Sequence, residues 1–301
     1  MEGREASYCS LPLFPVWASQ FSPLIVARAI LCGTALSTIG VCLPNLSPCN
    51  IVCGGGDSTS TSDVPARKLN RNGNITTMDT SKIDRWQKER QKAFKSIPAA
   101  GKTITYLGKK FFVYRNTFWP FKDSQPLVKN LRIKKTESVL DVGTGSGVIA
   151  VFACYRGAGR VVAVDINPSA VKSAKRNAKL HGFDKVIEIK HSNLFENVKQ
   201  EKFDVITANL PFRNRSAHDV VARSQWDTDL KTNKQFFKRV GKYLKPNGRI
   251  YFAQANFGAV KEIKMLAKAA GFSISLVGRG ADDKRGTKKF YAFLLRRARQ
   301  S

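Results

Sequence analysis

Histidine is scarce in this chain, with three among 301 residues at His181, His191 and His218. Their separation matches no metal-ligand spacing, and none of the six cysteines forms a C-x-x-C pair, so no metal site is expected. Five of those cysteines (Cys9, Cys32, Cys42, Cys49, Cys53) lie in the first 53 residues, while Cys154 sits among apolar residues as a core thiol. Long hydrophobic runs are also lacking. The longest uncharged, proline-free run of the N-terminal segment, Ala29–Leu43, has fifteen residues, short of the roughly 20 that a membrane-spanning helix needs. The first residues, Met1-Glu2-Gly3-Arg4-Glu5, lack the positive start of a secretory signal. A cytoplasmic location is expected, with membrane association only through residues 24–43. The remaining readings of that stretch are an organelle-targeting leader or a weak anchor.

Acidic residues are few: 22, against 51 lysines and arginines, for a net charge of +29. Residues 1–77 hold five basic and four acidic side chains, so residues 78–301 hold the other 46 and 18, a net +28. Such an excess favours a polyanionic partner, because phosphate contacts release counterions. RNA, or a ribosome- or translation-associated protein, is the expected partner, against the plainer reading of a solubilising surface. A monomer is favoured. The chain divides into a low-charge extension and linker (1–77) expected to be disordered, a cap (78–117) and a catalytic-type domain (118–301). Gly54–Thr77, rich in Gly, Ser, Thr, Asp and Asn, reads as the linker.

Folded structure is expected from about Thr80. Ser81–Lys95 places Ile83, Trp86, Ala93 and Phe94 at near-helical spacing among six basic residues, as in a basic amphipathic helix. It either caps the core or helps to recognise substrate. Thr103–Tyr106 and Phe111–Tyr114, around Gly108, predict a hairpin. After Leu127 strands and helices alternate: strands 138–142, 160–165, 185–190 and 203–208, helices 148–156, 169–181 and 232–244, then strand 249–254 and helix 259–270. Two last strands, 273–277 and 288–295, follow one another with no helix between, as an antiparallel edge hairpin. The alternation implies an α/β, Rossmann-like, doubly wound and mostly parallel sheet.

Val139-Leu140-Asp141-Val142-Gly143-Thr144-Gly145-Ser146-Gly147 ends a strand and opens a helix. Alternate glycines let the backbone turn sharply and approach a ligand. Asp141 would repel a pyrophosphate at the helix start but would welcome a cationic cofactor, and S-adenosylmethionine carries an ammonium and a sulfonium. Asp165 closes the next strand, about 20 residues beyond the glycine turn, where an acid accepts both hydroxyls of an adenosine ribose. Asn209-Leu210-Pro211-Phe212 leaves the fourth strand at its carboxyl end. There the Asn209 oxygen and the Leu210 carbonyl can take the two hydrogens of a substrate NH2 and aim its lone pair at a methyl group. Pro211 stiffens the turn, and Phe212 offers a face for a planar group.

Together these segments make residues 118–295 resemble the class I S-adenosylmethionine-dependent methyltransferases. More narrowly they resemble the small-domain group of HemK-like glutamine methyltransferases and related base N-methyltransferases. Pro120–Val128 is similar to the Pro-Arg-Pro-acid-Thr-Glu-x-Leu-Val segment before the HemK-like core. The resemblance implies a seven-stranded sheet with an antiparallel last strand. Its cofactor-binding residues would be Asp141, Gly143, Thr144, Gly145, Gly147, Asp165, Ile166, Asn193, Leu194 and Asn209, and its catalytic turn Asn209, Leu210, Pro211 and Phe212. The expected activity is methyl transfer to a planar nitrogen, either an exocyclic amine of an RNA base or a glutamine amide.

The chain also departs from the pattern. Leu210 stands where the group has its first proline, Asn193 where Asp is common, and Phe121-Lys122 where the branch has Arg-Pro. Two other readings stay open: a nicotinamide-dependent oxidoreductase, which explains Asp165 alone, and a non-catalytic RNA-binding protein on the same scaffold. Arg213, Arg215 and Arg223 are candidates to grip phosphate, and Lys284, Arg285, Lys288 and Lys289 to extend that patch. His218 is read as an exposed loop residue.

Overall fold

The computed structural model describes residues 79–282 and 287–298, together with two short paired strands, β1 (Arg67–Leu69) and β2 (Ile75–Thr77). All of these lie in one unit, Ser62–Ser301. β1 and β2 form an antiparallel ladder inside the stretch read as a linker, which its composition did not suggest. The rest of the N-terminal extension, including residues 24–43, lies outside the described residues. Among the described residues no helix is long and apolar enough to cross a membrane.

Helix α1 (Thr80–Lys95) begins on Asp79, whose carboxylate accepts the N–H groups of Ser81 and Lys82 and so satisfies two donors with no partner in the helix. It buries Ile83, Gln87, Gln91 and Phe94 and turns Lys82, Arg85, Lys88, Lys92 and Lys95 outward. Ala93, expected on the apolar face, is exposed; the two glutamines take inward positions, where Gln87 Oε1 accepts from Arg213 and from Trp226 Nε1. A hairpin of β3 (Lys102–Tyr106) and β4 (Lys109–Val113) follows, one residue or two away from its expected bounds. A short helix, α2 (Gln125–Asn130), was not foreseen. Pro126 reads as a breaker in sequence, yet in the first helical turn the missing N–H has no partner to lose.

The large sheet contains β5 (Ser138–Val142), β6 (Arg160–Asp165), β7 (Ile187–His191), β8 (Phe203–Ala208), β9 (Leu244–Ala255), β10 (Phe272–Ala281) and β11 (Lys289–Arg297). Their order is β10-β11-β9-β8-β5-β6-β7. Helices α3 (Val148–Tyr155), α4 (Pro168–Leu180), α5 (Lys231–Val240) and α6 (Val260–Ala269) make the connections. Only β11 runs against its neighbours, pairing antiparallel with both β9 and β10. The expected closing hairpin is present, but its last strand inserts inward, so β10 and not β11 forms the edge.

Both sheet faces are covered, and the strand sequences show it. Val139, Val161 and Val205 enter one apolar layer; Leu140, Val162 and Ile206 enter the other. Side chains alternate across a strand, so a run apolar at every position must be packed on both sides. Each such side chain stabilises the fold by about 1.5–3 kcal/mol. From β5 the chain winds outward through β6 to β7, then returns to pair β8 on the other flank of β5. Between β5 and β8 the winding reverses, and a crevice opens there at the carboxyl ends of the strands.

Candidate active site

The loop after β5 is anchored from below by Asp141. This carboxylate has no exposed surface; Oδ1 accepts from Thr207 Oγ1 at 2.6 Å and Oδ2 from Thr144 Oγ1 at 2.7 Å. Burial pushes its pKa up to about 6, against the pull of the two hydroxyls. Asp141, expected to face a cofactor, therefore does not line the cavity. It sits beneath the turn and holds it, because both of its oxygens are already engaged by strand and loop hydroxyls.

The three glycines differ in what their missing Cβ allows. All have positive φ, at +72° for Gly143, +56° for Gly145 and +82° for Gly147. A Cβ at Gly147 would stand 3.0 Å from the Cα and Cβ of Ala174, so this glycine serves the contact of α3 with α4 and not a ligand. That corrects its expected place in the cofactor site. Gly143 and Gly145 do line the crevice, and Gly145 donates its N–H to Asp165 Oδ2 at 2.8 Å.

An open cavity of about 90 Å3 lies over these strand ends. Gly143 and Gly145 come from the β5 loop, Asp165 and Ile166 from the end of β6, Asn193 and Leu194 from the turn after β7, and Asn209, Leu210 and Pro211 from the turn after β8. Thr144 lines a smaller neighbouring recess beside Gly143. Besides Gly145, Asp165 takes the Asn167 N–H on Oδ1 at 2.8 Å, and burial raises its pKa. Asn193 donates from Nδ2 to Glu196 at 2.8 Å, which leaves Oδ1 as its cavity-side group. Leu194 holds φ at +52°, with its carbonyl bonded to the Ser192 hydroxyl at 2.9 Å.

Asn209 is oriented in the same way. Its Nδ2 donates to Asp123 Oδ2 at 2.9 Å, so Oδ1 is the end presented to the crevice. Asp123 is 2% exposed and also accepts the Phe121 N–H at 2.9 Å. Burial raises its pKa, opposed by those two donors and by the charge of Arg90. Sequence reading assigned Asp123 no role. Its signal was the acid of the Pro120–Val128 segment, but nothing in sequence links that acid to a turn so far along the chain. The turn itself is held by Asn233, which donates to the Pro211 carbonyl at 3.1 Å, and by the Ala259 N–H on the Phe212 carbonyl at 2.8 Å. Leu210 Cδ2 lies 3.1 Å from where a Gly143 Cβ would be, so the leucine that replaces a proline packs onto the glycine turn.

A second, much tighter cavity of about 20 Å3 adjoins the first at Asn209 and Leu210. Phe212, Phe118, Phe121, Phe257 and Phe290 wall it, and α1 contributes Trp86 and Gln87. Trp86 meets Phe121 and Phe257 edge to face, with ring centres 5.5 and 5.9 Å apart. Helix α1 is therefore both a cap and part of the site. The loop arginines divide. Arg213 is 5% exposed, ion-paired with Asp84 and bonded to Gln87 at 3.3 Å, so it ties the loop to α1 instead of facing phosphate. Arg215 also reaches Asp84, at 3.5 Å, while Arg223 is exposed and lines the larger cavity. Lys288 pairs with Asp282 and stands over the Trp86 ring; Lys284 and Arg285 lie outside the described residues. Among the described residues no cluster of His, Cys, Asp or Glu is placed to hold a metal ion.

The methyltransferase small domain family model matches residues 122–274. A protein of Methanocaldococcus jannaschii, provisionally named a protein N5-glutamine methyltransferase, is 34% identical over 178 residues, covering 57% of this chain and 89% of that one. A bifunctional methyltransferase of Rickettsia felis is 32% identical over 167 residues, but the chain spans only 31% of its length. Among solved structures, a ribosomal protein L11 methylase from Lactobacillus delbrueckii subsp. bulgaricus aligns over 57% of this chain and 75% of that one, at 24% identity and a TM-score of 0.44.

Proposed function

The chain belongs to the methyltransferase small domain family, and from that premise we propose that it transfers a methyl group from S-adenosylmethionine to a planar nitrogen. The acceptor would be an exocyclic amine of an RNA base or a glutamine amide of a translation-associated protein. Family membership sets aside the nicotinamide-dependent oxidoreductase reading. The observation that carries the proposal is the pair Asn209–Asp123, which turns an amide oxygen toward the point where the two cavities meet.

The larger cavity suits the cofactor by its polar groups. Asp165 offers carboxylate oxygens for ribose hydroxyls, and Asn193 Oδ1 accepts from an adenine amino group, with Ile166 and Leu194 beside it. Gly143 and Gly145 let the ligand approach the backbone, and Asp141 beneath them favours positive charge. When bound, S-adenosylmethionine supplies an electrophilic methyl group on a sulfonium. Asn209 Oδ1 and the Leu210 carbonyl accept the two hydrogens of the substrate nitrogen, which aims its lone pair along the line of displacement. Pro211 and Phe212 keep that turn rigid. Positioning of this kind supplies much of the rate for an in-line transfer, and the aromatic walls exclude water from the reacting atoms.

Replacing Asn209 by Ala tests the reading. The expected result is a loss of about 100-fold or more in methyl transfer, with S-adenosylmethionine binding by calorimetry changed only a few-fold. Transfer at the normal rate would remove Asn209 from the chemistry.

A further inference from the structure

Arg90, on α1, is a half-buried cation, and among the described residues no acid stands at ion-pair distance from it. Its guanidinium lies on the Phe121 ring, with Cζ 3.5 Å from the ring centre; Phe94, Trp86 and Trp119 surround it at 5.2, 5.8 and 6.0 Å. One terminal nitrogen reaches the Trp119 carbonyl at 3.5 Å, while Nε is buried with no partner. Burial brings its pKa down to about 10, so the group stays charged at neutral pH. Charges withdrawn from water are ordinarily paired, and a desolvated aromatic contact returns about 2 kcal/mol. The arrangement calls for an explanation. Among acids, Asp123 acts on Arg90 most strongly, ahead of Asp282. The ring beneath Arg90 belongs to Phe121, whose backbone N–H holds Asp123 Oδ1 at 2.9 Å, and Asp123 Oδ2 holds the Asn209 amide.

We propose that Arg90 is a positioning residue for methyl transfer: by its hold on Phe121 and by its charge it keeps Asp123 a pure acceptor, and so keeps the Asn209 oxygen facing the substrate nitrogen. This inference rests on the methyl-transfer reading above and deepens it. Asp123 is 2% exposed, and burial favours its protonated form while the Arg90 charge opposes it. A proton taken from solvent onto Oδ2 would make that oxygen a donor, with Oδ1 still on the Phe121 N–H. Asn209 would then turn its amide round to accept, and Nδ2 would face the crevice. A donor there confronts the N–H groups of the substrate, and transfer stops. The other ionisable groups around Asp123 do not replace Arg90. Tyr106, on β3, shares a hydrogen bond with Ser124 at 2.9 Å, and burial raises its pKa, so it stays neutral. Lys288 pairs with Asp282 at 3.4 Å, and Lys122, beside Asp123 in sequence, donates to the Asp282 carbonyl.

The test follows initial rates of labelled-methyl transfer from S-adenosylmethionine to total RNA and total protein fractions, using the full chain, from about pH 6 to about pH 9. Each variant is read as its rate relative to wild type, so that titration of the acceptor itself cancels. Arg90→Met occupies the aromatic box without charge and should be slowed about tenfold or more at the acid end. It should recover toward wild type as pH rises and Asp123 ionises unaided. Arg90→Lys keeps the charge and should keep most of the rate at every pH. In an Asp123→Asn background, where the side chain does not titrate, Arg90→Met should cause no further pH-dependent loss. The S-adenosylmethionine Kd should stay within about twofold throughout. An Arg90→Met enzyme equal to wild type, or slowed by one factor at every pH in both backgrounds, overturns the inference and leaves methyl transfer standing. Absence of both labelling and S-adenosylmethionine binding in the wild type would instead remove the methyl-transfer reading itself, and this inference with it.

Discussion

Asp123 and Asn209, 86 residues apart in sequence, meet at 2.9 Å, and the bond between them decides which end of an amide faces the crevice. An asparagine side chain is nearly symmetric in shape, and without a fixed partner its oxygen and nitrogen exchange places by a half-turn. A carboxylate can only accept, so it binds the nitrogen and leaves the oxygen outward.

Asp123→Ala should therefore lower kcat by about 10–100-fold, the equivalent of one lost charge-assisted hydrogen bond. Its S-adenosylmethionine Kd should remain within about twofold of wild type. Asp123→Asn keeps one oxygen for the Asn209 amide but sets its new Nδ2 against the Phe121 N–H, so it should recover only part of the rate. Single-turnover kinetics of the three proteins separate positioning from folding, since a merely structural loss would not be rescued by the amide while cofactor affinity held.

Gly147 and Gly145 should fail in different ways. An alanine at Gly147 places its Cβ 3.0 Å from Ala174 at a φ of +82°, so α3 and α4 must part. Overpacking of this kind costs about 1–3 kcal/mol, with the left-handed backbone adding about 1 kcal/mol. Gly145→Ala meets only the Phe118 carbonyl, at 3.4 Å, and pays chiefly the backbone term while crowding the ligand side of the loop. Thermal unfolding should show the larger Tm loss for Gly147→Ala, and calorimetry the larger loss of S-adenosylmethionine affinity for Gly145→Ala.

Asp141 carries a pH signature. Its folded pKa of about 6 lies above the ~3.9 of an unfolded aspartate. The folded chain therefore binds the proton where the unfolded chain has released it. Its contribution to stability is fully present below about pH 4 and is lost as pH rises through about 6. Relative to Asp141→Asn, which does not titrate, the wild type should gain roughly 2–3 kcal/mol between pH 7 and pH 4. Urea unfolding of both proteins across that range measures the difference. A difference that is flat, or that grows toward high pH, would show that Asp141 is not the carboxylate holding this proton.

What sequence revealed about this site followed from whether each contact is local. The glycine turn, Asp165 and the Asn209 turn each sit at the end of one strand, so strand alternation and the glycine spacing located them. Asn209 and Asp165 line the crevice as expected. Asp141 was placed on the right strand but on the wrong side of the loop, because its partners Thr144 and Thr207 meet it only when β5 pairs with β8. Arg213, expected to grip phosphate, pairs instead with Asp84 on α1, a partner too far away in sequence to be foreseen. Asp123 was missed for the same reason: it meets Asn209 only where separate segments converge.

The division into two cavities can be tested by breaking one wall of each. Asp165→Asn keeps one oxygen, but its new Nδ2 confronts an N–H donor, Gly145 or Asn167, that the carboxylate now accepts. The loop clamp and one ribose acceptor are lost together, so the S-adenosylmethionine Kd should rise about 10–100-fold with the acceptor KM little changed. Trp86→Ala removes an aromatic wall from the narrow cavity, where Trp86 packs on Phe121 and Phe257. It should raise the acceptor KM about tenfold or more, as loss of one stacking face does, and leave the cofactor Kd near wild type. The two residues line separate cavities, so in the double variant the effects should add within about 0.5 kcal/mol. If Trp86→Ala weakened cofactor binding as much as Asp165→Asn does, the two cavities would be one site, and α1 would serve the cofactor instead of the acceptor.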